Sequence, residues 1–92
     1  MPLRIDDFEF DEHNEAEMAR HGVTPAEVFE VLSRGPGAGL ARYQIRRNRK
    51  QHAENQPYVM IGATYGGRML LIPIKPLDEL GLWRPATAFD QS

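Results

Sequence analysis

Residues 58–75 read YVMIGATYGGRMLLIPIK, two apolar, β-rich runs on either side of Gly66 and Gly67. A two-residue hairpin turn of type I′ requires positive φ at both central residues, which glycine adopts without steric penalty. The sequence therefore predicts an antiparallel hairpin in which Tyr65 pairs with Arg68. Because side chains alternate along a strand, this register places one aliphatic set on a single face, the predicted floor of the core. That set is Val59, Ile61, Ala63, Leu70, Ile72 and Ile74.

The other face of the predicted hairpin is mixed and less apolar, so we expect a functional site on that face or at its rim. Its members are Tyr58, Met60, Gly62, Thr64, Met69, Leu71, Pro73 and Lys75. Because proline has no backbone N–H, Pro73 predicts that its strand is an edge strand or that its nitrogen points outward.

Two helix starts precede the hairpin. Asp11 is suited to be an N-cap, and the acidic residues that follow it are favoured in a first helical turn by the helix dipole. Gly22 suits the left-handed position after that first helix. Thr24, Pro25 and Glu27 form a stronger start, with a cap, a proline at the first helical position and a capping box. The apolar residues of the second helix are spaced to face a core. They are Val28, Phe29, Val31 and Leu32.

Further strands are predicted on both sides of the helical part. Apolar alternation or β-rich composition indicates strands within residues 4–10, 40–46 and 83–89. The predicted order is an N-terminal strand, two helices, and then a mostly antiparallel sheet with a central hairpin. This order defines an α+β fold, and the length favours one domain over residues 1–92.

Composition narrows the class of protein. The chain is 41% hydrophobic and 26% charged, as is ordinary for a globular domain, and it has no cysteine for disulfides or thiolate metal sites. Residues 69–74, the longest wholly apolar run, are too short to cross a bilayer, and residues 1–13 lack the apolar core of a signal peptide. No metal-binding, P-loop or dinucleotide motif occurs. We therefore expect a cytoplasmic protein with no membrane contact, no metal and no cofactor.

The net charge of −2 hides a strong asymmetry along the chain. Residues 1–33 contain nine acidic and two basic residues, whereas residues 34–52 contain six basic residues and no acidic one. The basic run is suited to follow a phosphate backbone, but a solvated loop or a contact for an acidic protein would have the same composition. Tyr43 and Tyr58 flank the run, and each is suited either to stack on bases or to lie in the core or at its rim.

Two parts of the sequence resemble BrnT-like toxins. Residues 8–11 read FEFD, residues 20–24 read RHGVT, and the hairpin reads YVMIGATYGGRML, each similar to a motif of that family. The resemblance implies a RelE-like fold and membership of the RelE superfamily. It further implies a ribonuclease toxin of a type II toxin–antitoxin system, which binds and cleaves mRNA without a metal and has a cognate antitoxin as its protein partner.

Three positions depart from the cationic residues that the family has there. They are Pro57, Ala63 and Phe89. Their loss leaves open whether the chain is an enzyme or a catalytically inactive binding module that pairs with a co-encoded antitoxin-like protein. It also stays open whether the protein forms an oligomer with itself or with a partner.

A ribonuclease that works without a metal needs a base for the 2′-hydroxyl, cations for the crowded phosphate and an acid for the 5′-oxygen. Arginine suits the phosphate because its planar guanidinium binds two oxygens at once. The predicted catalytic residues are Arg46, Arg47 and Arg84 for phosphate, with Lys75 and Tyr58 for proton transfer or binding. The residues predicted to bind RNA are Arg42, Arg49, Lys50 and His52. His13 is interpreted as an exposed side chain and His21 as a helix-end cation.

Overall fold

The computed structural model describes residues 4–37, 42–53 and 55–91. Within these ranges, two helices lie against one six-stranded sheet, α1 (Glu12–Arg20) and α2 (Pro25–Ser33). The strands are β1 (Asp7–Phe8), β2 (Gln44–Arg47), β3 (Tyr58–Ala63), β4 (Met69–Pro76), β5 (Leu82–Pro85) and β6 (Phe89–Asp90). Their order is β1-β5-β4-β3-β2 with β6 beside β4, and only the pairing of β1 with β5 is parallel among these described strands. The α+β class, the two helices and the mostly antiparallel sheet are thus confirmed.

The central hairpin forms, but its predicted register is wrong by one residue. The Gly67 amide donates to the Thr64 carbonyl at 3.0 Å, and the Thr64 amide donates to the Arg68 carbonyl at 2.9 Å. The loop therefore has three residues, and of its two glycines only Gly67 has a positive φ, 86°. This is the geometry of a three-residue loop closed by a glycine bulge. Each residue of β3 consequently pairs with β4 one position earlier than predicted.

The shift exchanges the two faces of β3 and leaves those of β4 unchanged. The face towards the helices carries Tyr58, Met60, Gly62, Leu70, Ile72 and Ile74, and the opposite face carries Val59, Ile61, Ala63, Met69, Leu71 and Pro73. The prediction that Val59, Ile61 and Ala63 form the core floor is therefore wrong. Gly62 allows α2 to approach closely, because a Cβ at that position would lie 2.6 Å from Val31 Cγ1.

β4 is a central strand, so the predicted edge position of Pro73 is wrong. The strand predicted over residues 83–89 is divided into β5 and β6, which lie one after the other along β4. The carbonyl oxygen of Pro73 accepts a hydrogen bond of 2.9 Å from the Ala86 amide, so Pro73 faces the break between them. The nitrogen of Pro73, which has no hydrogen to donate, thus lies where the hydrogen-bond ladder is already interrupted.

Both predicted helix starts are confirmed. Asp11 caps α1 and Thr24 caps α2, each within a reciprocal capping box. Of the four apolar residues of α2 predicted to face the core, Phe29 does not do so, since it is 49% exposed. In α1, the polar residue Asn14 is completely buried. The Asn14 side-chain amide donates to the Pro85 carbonyl at 3.0 Å. This buried bond attaches the start of α1 to β5.

The outer strands are shorter than predicted. The strand expected within residues 4–10 is reduced to β1, and β2 covers the end of the strand expected over residues 40–46. Residues 40 and 41 of that prediction lie outside the described residues. Tyr43 is buried, which agrees with its core alternative, while Gln44 and Arg46 are exposed. Among the described helices, none has the length and apolar character needed to cross a membrane.

Candidate nucleic-acid interface

The basic residues at the end of β2 and in the following loop surround one concave site, which we call the basic pocket. It has a volume of about 300 Å³, and its apolar part is formed by Val59, Ile61 and Leu71 on the sheet face opposite the helices. The polar residues around it are Arg46, Arg47, Asn48, Arg49, Lys50, His52 and Gln91. Five of these seven were predicted as site residues, because neighbours in sequence at a strand end stay neighbours in space.

The cations of the basic pocket are not engaged in salt bridges. Arg46, Arg47, Arg49 and Lys50 are exposed, and none pairs with a carboxylate in residues 4–37, 42–53 and 55–91. The Arg46 guanidinium instead donates to Gln44 Oε1 at 2.8 Å. A phosphate group can therefore bind these cations by replacing water and counterions, without first breaking an ion pair.

Tyr58 contacts one of these cations, Arg47, on the face of the sheet towards the helices. Arg47 pairs with Tyr58 across β2 and β3, and its guanidinium carbon lies 5.4 Å from the centre of the Tyr58 ring. The same ring contacts Trp83 edge-on, with the centroids 5.6 Å apart. Tyr58 itself does not line the basic pocket. Its position therefore suits it to orient Arg47 through a cation–π contact.

Asn48, which the sequence did not single out, holds the loop after β2 in shape. It is 7% exposed, and its Nδ2 donates to the carbonyls of His52 at 2.6 Å and Gln56 at 2.9 Å. Its Oδ1 accepts from the His52 amide at 2.9 Å. The only available signal was the general preference of asparagine for bonding to nearby backbone in loops.

The same loop carries unusual backbone strain. Three non-glycine residues have positive φ, at 57°, 57° and 66°, and they are Gln51, Ala53 and Asn55. L-amino acids rarely adopt this region, and alanine has no side-chain hydrogen bond to offset it. A loop of this kind persists only where other contacts fix it, which here are the bonds of Asn48.

Lys75 and Arg84 lie apart from the basic pocket. They pair with each other across β4 and β5. The Arg84 Nη1 donates to Glu9 Oε1 at 3.0 Å and also to Asp11 Oδ2. The hydrogen bond from Arg84, which is the largest cause, and that from the Asn14 amide lower the pKa of Asp11 to about 2, and the bond to Asp11 raises the pKa of Arg84. Two carboxylates thus neutralise Arg84, and a phosphate would have to displace them.

Arg42 is also outside the basic pocket, since it precedes β2 whereas the pocket follows it. Its Nη1 donates to the Arg34 carbonyl at 3.4 Å, and its side chain lies against Gly37. The predicted site is therefore distributed over three places: the basic pocket with Tyr58 behind it, the Lys75–Arg84 pair, and Arg42.

Arg68 is the other strongly paired arginine, and it connects three elements. Its Nε donates to Asp90 Oδ2 at 2.7 Å, and its Nη1 donates to the Gly22 carbonyl at 2.8 Å and to Glu27 Oε2 at 3.0 Å. Partial burial raises the pKa of Glu27, but the hydrogen bonds from Arg68 and from the Thr24 amide outweigh it and lower that pKa overall. Arg68 consequently ties β4 to β6 and to the start of α2.

A second pocket, which the sequence did not predict, lies between α1 and the break in the last strand; we call it the α1 pocket. Its volume is about 390 Å³. It is lined by His13, Glu17, Ala53, Gln56, Arg84, Ala86 and Thr87. His13 and Glu17 are four residues apart and so lie on one face of α1, a spacing that could have indicated a shared surface. In the described part of the chain, no group of three or more His, Cys, Asp and Glu side chains is arranged to hold a metal.

The chain has three histidines, and all lie near this end of the sheet. His13 lines the α1 pocket, and His21 packs on Phe89 with ring centroids 4.5 Å apart. His52, from the basic pocket, lies 6.2 Å from the same Phe89 ring. Phe89 thus occupies the space between the end of α1 and the loop after β2.

Comparison with known proteins identifies no relative of this chain. No protein-family model, no curated protein and no solved structure matches it. Its function is therefore inferred from its own residues and their arrangement.

Proposed function

We propose that this protein is a cytoplasmic toxin of a type II toxin–antitoxin system, which binds mRNA and cleaves it as a metal-independent endoribonuclease. The observation that carries the proposal is the basic pocket, in which the cations have no carboxylate partner among the described residues. The sequence resemblance to BrnT-like toxins and the α+β fold with its antiparallel hairpin support the same assignment. The cognate antitoxin is the proposed protein partner.

The proposed reaction is an internal transfer at phosphorus. Arg46 and Arg47 hold the non-bridging oxygens of the scissile phosphate and stabilise the charge that grows on them. The 2′-oxygen attacks the phosphorus, the bond to the 5′-oxygen breaks, and the proton passes from the first oxygen to the second. His52 lines the same pocket and is the residue type that exchanges protons near neutral pH, so it mediates this transfer. The products are a 2′,3′-cyclic phosphate and a 5′-hydroxyl.

The test compares cleavage of an end-labelled, single-stranded RNA by the wild type and by Arg46→Ala/Arg47→Ala. We expect the double variant to lose about 100-fold or more in rate, because each phosphate donor contributes transition-state stabilisation. The control is Arg4→Ala/Arg20→Ala, which removes the same charge from two exposed arginines outside the pocket. Equal losses in both double variants would overturn the site. A wild type that neither binds nor cleaves RNA, alone or with ribosomes, would overturn the function.

A second candidate function is a binding module that has lost catalysis. The structure gives a specific reason to keep it: Arg84 is neutralised by two carboxylates, and Phe89 packs between two histidines where the family has a cation. This alternative predicts that RNA and an antitoxin-like partner bind to the wild type while no RNA is cleaved under any condition. The same cleavage assay, read together with RNA affinity, separates the two functions.

A further inference from the structure

We propose that the α1 pocket binds an RNA base that presents N–H donors, with guanine as the best fit, next to the phosphate held in the basic pocket. This inference rests on the proposed RNA function but depends on different residues.

The α1 pocket is large enough for a nucleobase. Its volume of about 390 Å³ lies within the range of small-molecule sites, roughly 300–1,000 Å³. Its walls come from three separate segments: α1, the loop after β2, and the break between β5 and β6. Two of the side chains that face it, Ala53 and Ala86, are methyl groups. A flat aromatic base can therefore enter without displacing a large side chain.

The charge of the pocket favours hydrogen-bond donors over phosphate. Glu17 supplies a carboxylate whose described ion pair is with Arg20 at 3.2 Å, and the Arg20 side chain is 73% exposed, so that pair is weak. The positive charge of Arg84 is already matched by Glu9 and Asp11. Guanine presents an N–H and an NH₂ group side by side on one edge, and a carboxylate can accept from both. Uracil presents a single N–H between two carbonyl groups and would place oxygens against Glu17.

Among the described residues, one buried hydroxyl group in the wall lacks a partner. Thr87 lines the pocket and is 4% exposed, and its Oγ1 has no hydrogen-bond partner in that part of the chain. Buried polar groups without partners are rare in folded proteins and unfavourable, so each has a physical reason. A bound base, whose edge carries both donors and acceptors, would supply the missing bond once rotation about χ1 turns the buried Oγ1 towards the pocket.

The pocket also lies beside the surface proposed for phosphate. Gln56 lines the α1 pocket and, in addition, a wide groove bordered by Arg47, Arg49 and Pro57. Ala53, in the α1 pocket wall, directly follows His52 of the basic pocket. An RNA strand whose phosphate contacts the loop cations thus passes the opening of the α1 pocket. Base recognition there would determine which sequence is bound.

The experiment titrates the ¹⁵N-labelled protein with each of the four free nucleosides, which carry no phosphate and so do not need the basic pocket. We expect guanosine to shift the amide signals of residues 84–87 and of α1, and uridine to bind about 10-fold more weakly or worse. Glu17→Gln should weaken guanosine binding by about 10-fold. The matched control, Glu15→Gln, makes the same change on the exposed side of α1 and should leave the affinity unchanged.

Two further variants make the result decisive. Ala86→Leu fills the pocket and should abolish guanosine binding; if it does not fold, the Glu17→Gln and Glu15→Gln pair still gives the answer. Arg46→Ala/Arg47→Ala should bind guanosine as the wild type does. No nucleoside binding, or equal binding of uridine and guanosine, would overturn the inference even if RNA cleavage depends on Arg46 and Arg47. Guanosine binding without any RNA binding would instead sustain the pocket and reject the proposed function.

Discussion

Replacing Asn48 by alanine should open the loop after β2 while the rest of the fold persists. The substitution removes three hydrogen bonds between the side chain and the loop backbone. At a net value of about 1 kcal/mol each, they favour the ordered loop by about 3 kcal/mol. The three left-handed, non-glycine residues oppose it by roughly 1 kcal/mol each, also about 3 kcal/mol. The two contributions are of equal size and offset each other in the wild type, so without Asn48 the strain is unopposed and disfavours the ordered loop by about 3 kcal/mol.

Hydrogen exchange and RNA affinity together test this reasoning. We expect the His52 amide, which donates to Asn48 Oδ1, to lose about 100-fold in protection, as a loss of about 3 kcal/mol implies. Amides of β3 and β4 should keep their protection. RNA affinity should fall as well, because the loop cations are no longer held around one pocket. Adding Ala53→Gly to the variant should restore part of the protection, since glycine adopts the left-handed conformation without strain.

The chain offers a matched control in its second structural asparagine. Asn14 is fully buried and is the partner of the N-cap Asp11 in the reciprocal capping box of α1. Asn14→Ala should therefore lower the free energy of unfolding of the whole domain without a selective effect on the loop. If Asn48→Ala kept the protection of His52 and the RNA affinity of the wild type, the three bonds of Asn48 would not be what holds the loop. The same would follow if both asparagine variants changed the loop to the same extent.

Three further changes test the framework around the sites. Arg68→Ala removes ion pairs to α2 and to β6 and should lower the free energy of unfolding by about 1–2 kcal/mol in urea denaturation. An unchanged midpoint and slope would show that these ion pairs do not stabilise the fold. Gly62→Ala places a Cβ against α2 and should destabilise the domain by about 1–3 kcal/mol. Gly66→Ala is its control, because a Cβ there meets nothing closer than 3.8 Å. Equal effects of the two variants would exclude the close approach of α2 to β3 as the cause. Because Arg84, with a smaller contribution from the Asn14 amide, lowers the pKa of Asp11 from 3.8 to about 2, ionised Asp11 stabilises the fold fully above about pH 4 and progressively less as the pH falls towards 2. Thermal denaturation of Arg84→Gln should show a flatter decline over that range, and an identical profile would rule out the pair as its source.

The sequence was most informative where structure depends on close neighbours. The caps at Asp11 and Thr24 were predicted because a cap and its partner lie within three residues of each other. The hairpin itself was predicted, but its register was not, because two adjacent glycines permit both a two-residue and a three-residue loop. Packing selects between them: only the observed register turns Gly62 towards α2, where Val31 leaves no room for a Cβ. That contact joins residues far apart in sequence.

The same distinction applies to the sites. The basic pocket was predicted in large part, because its cations follow one another at the end of a strand. The environment of Arg84 was not, since its partners Glu9 and Asp11 come from the opposite end of the chain. The α1 pocket was missed entirely, because it exists only where three separate segments meet. A pattern within one segment carries no information about such a meeting.

Two sets of arginines in this protein act in opposite ways on stability. Arg68 and Arg84 each bind two carboxylates and connect elements that are distant in sequence, so their charges serve the fold. The arginines around the basic pocket have no such partners in the described residues, and they stand at the end of β2 and on the following loop, which contains three strained backbone positions. Like charges held close together repel each other, and a strained loop adds to that penalty. An arrangement that opposes folding in two ways is explained if a polyanion supplies the missing counter-charge, and this is the physical reason for placing RNA at the basic pocket.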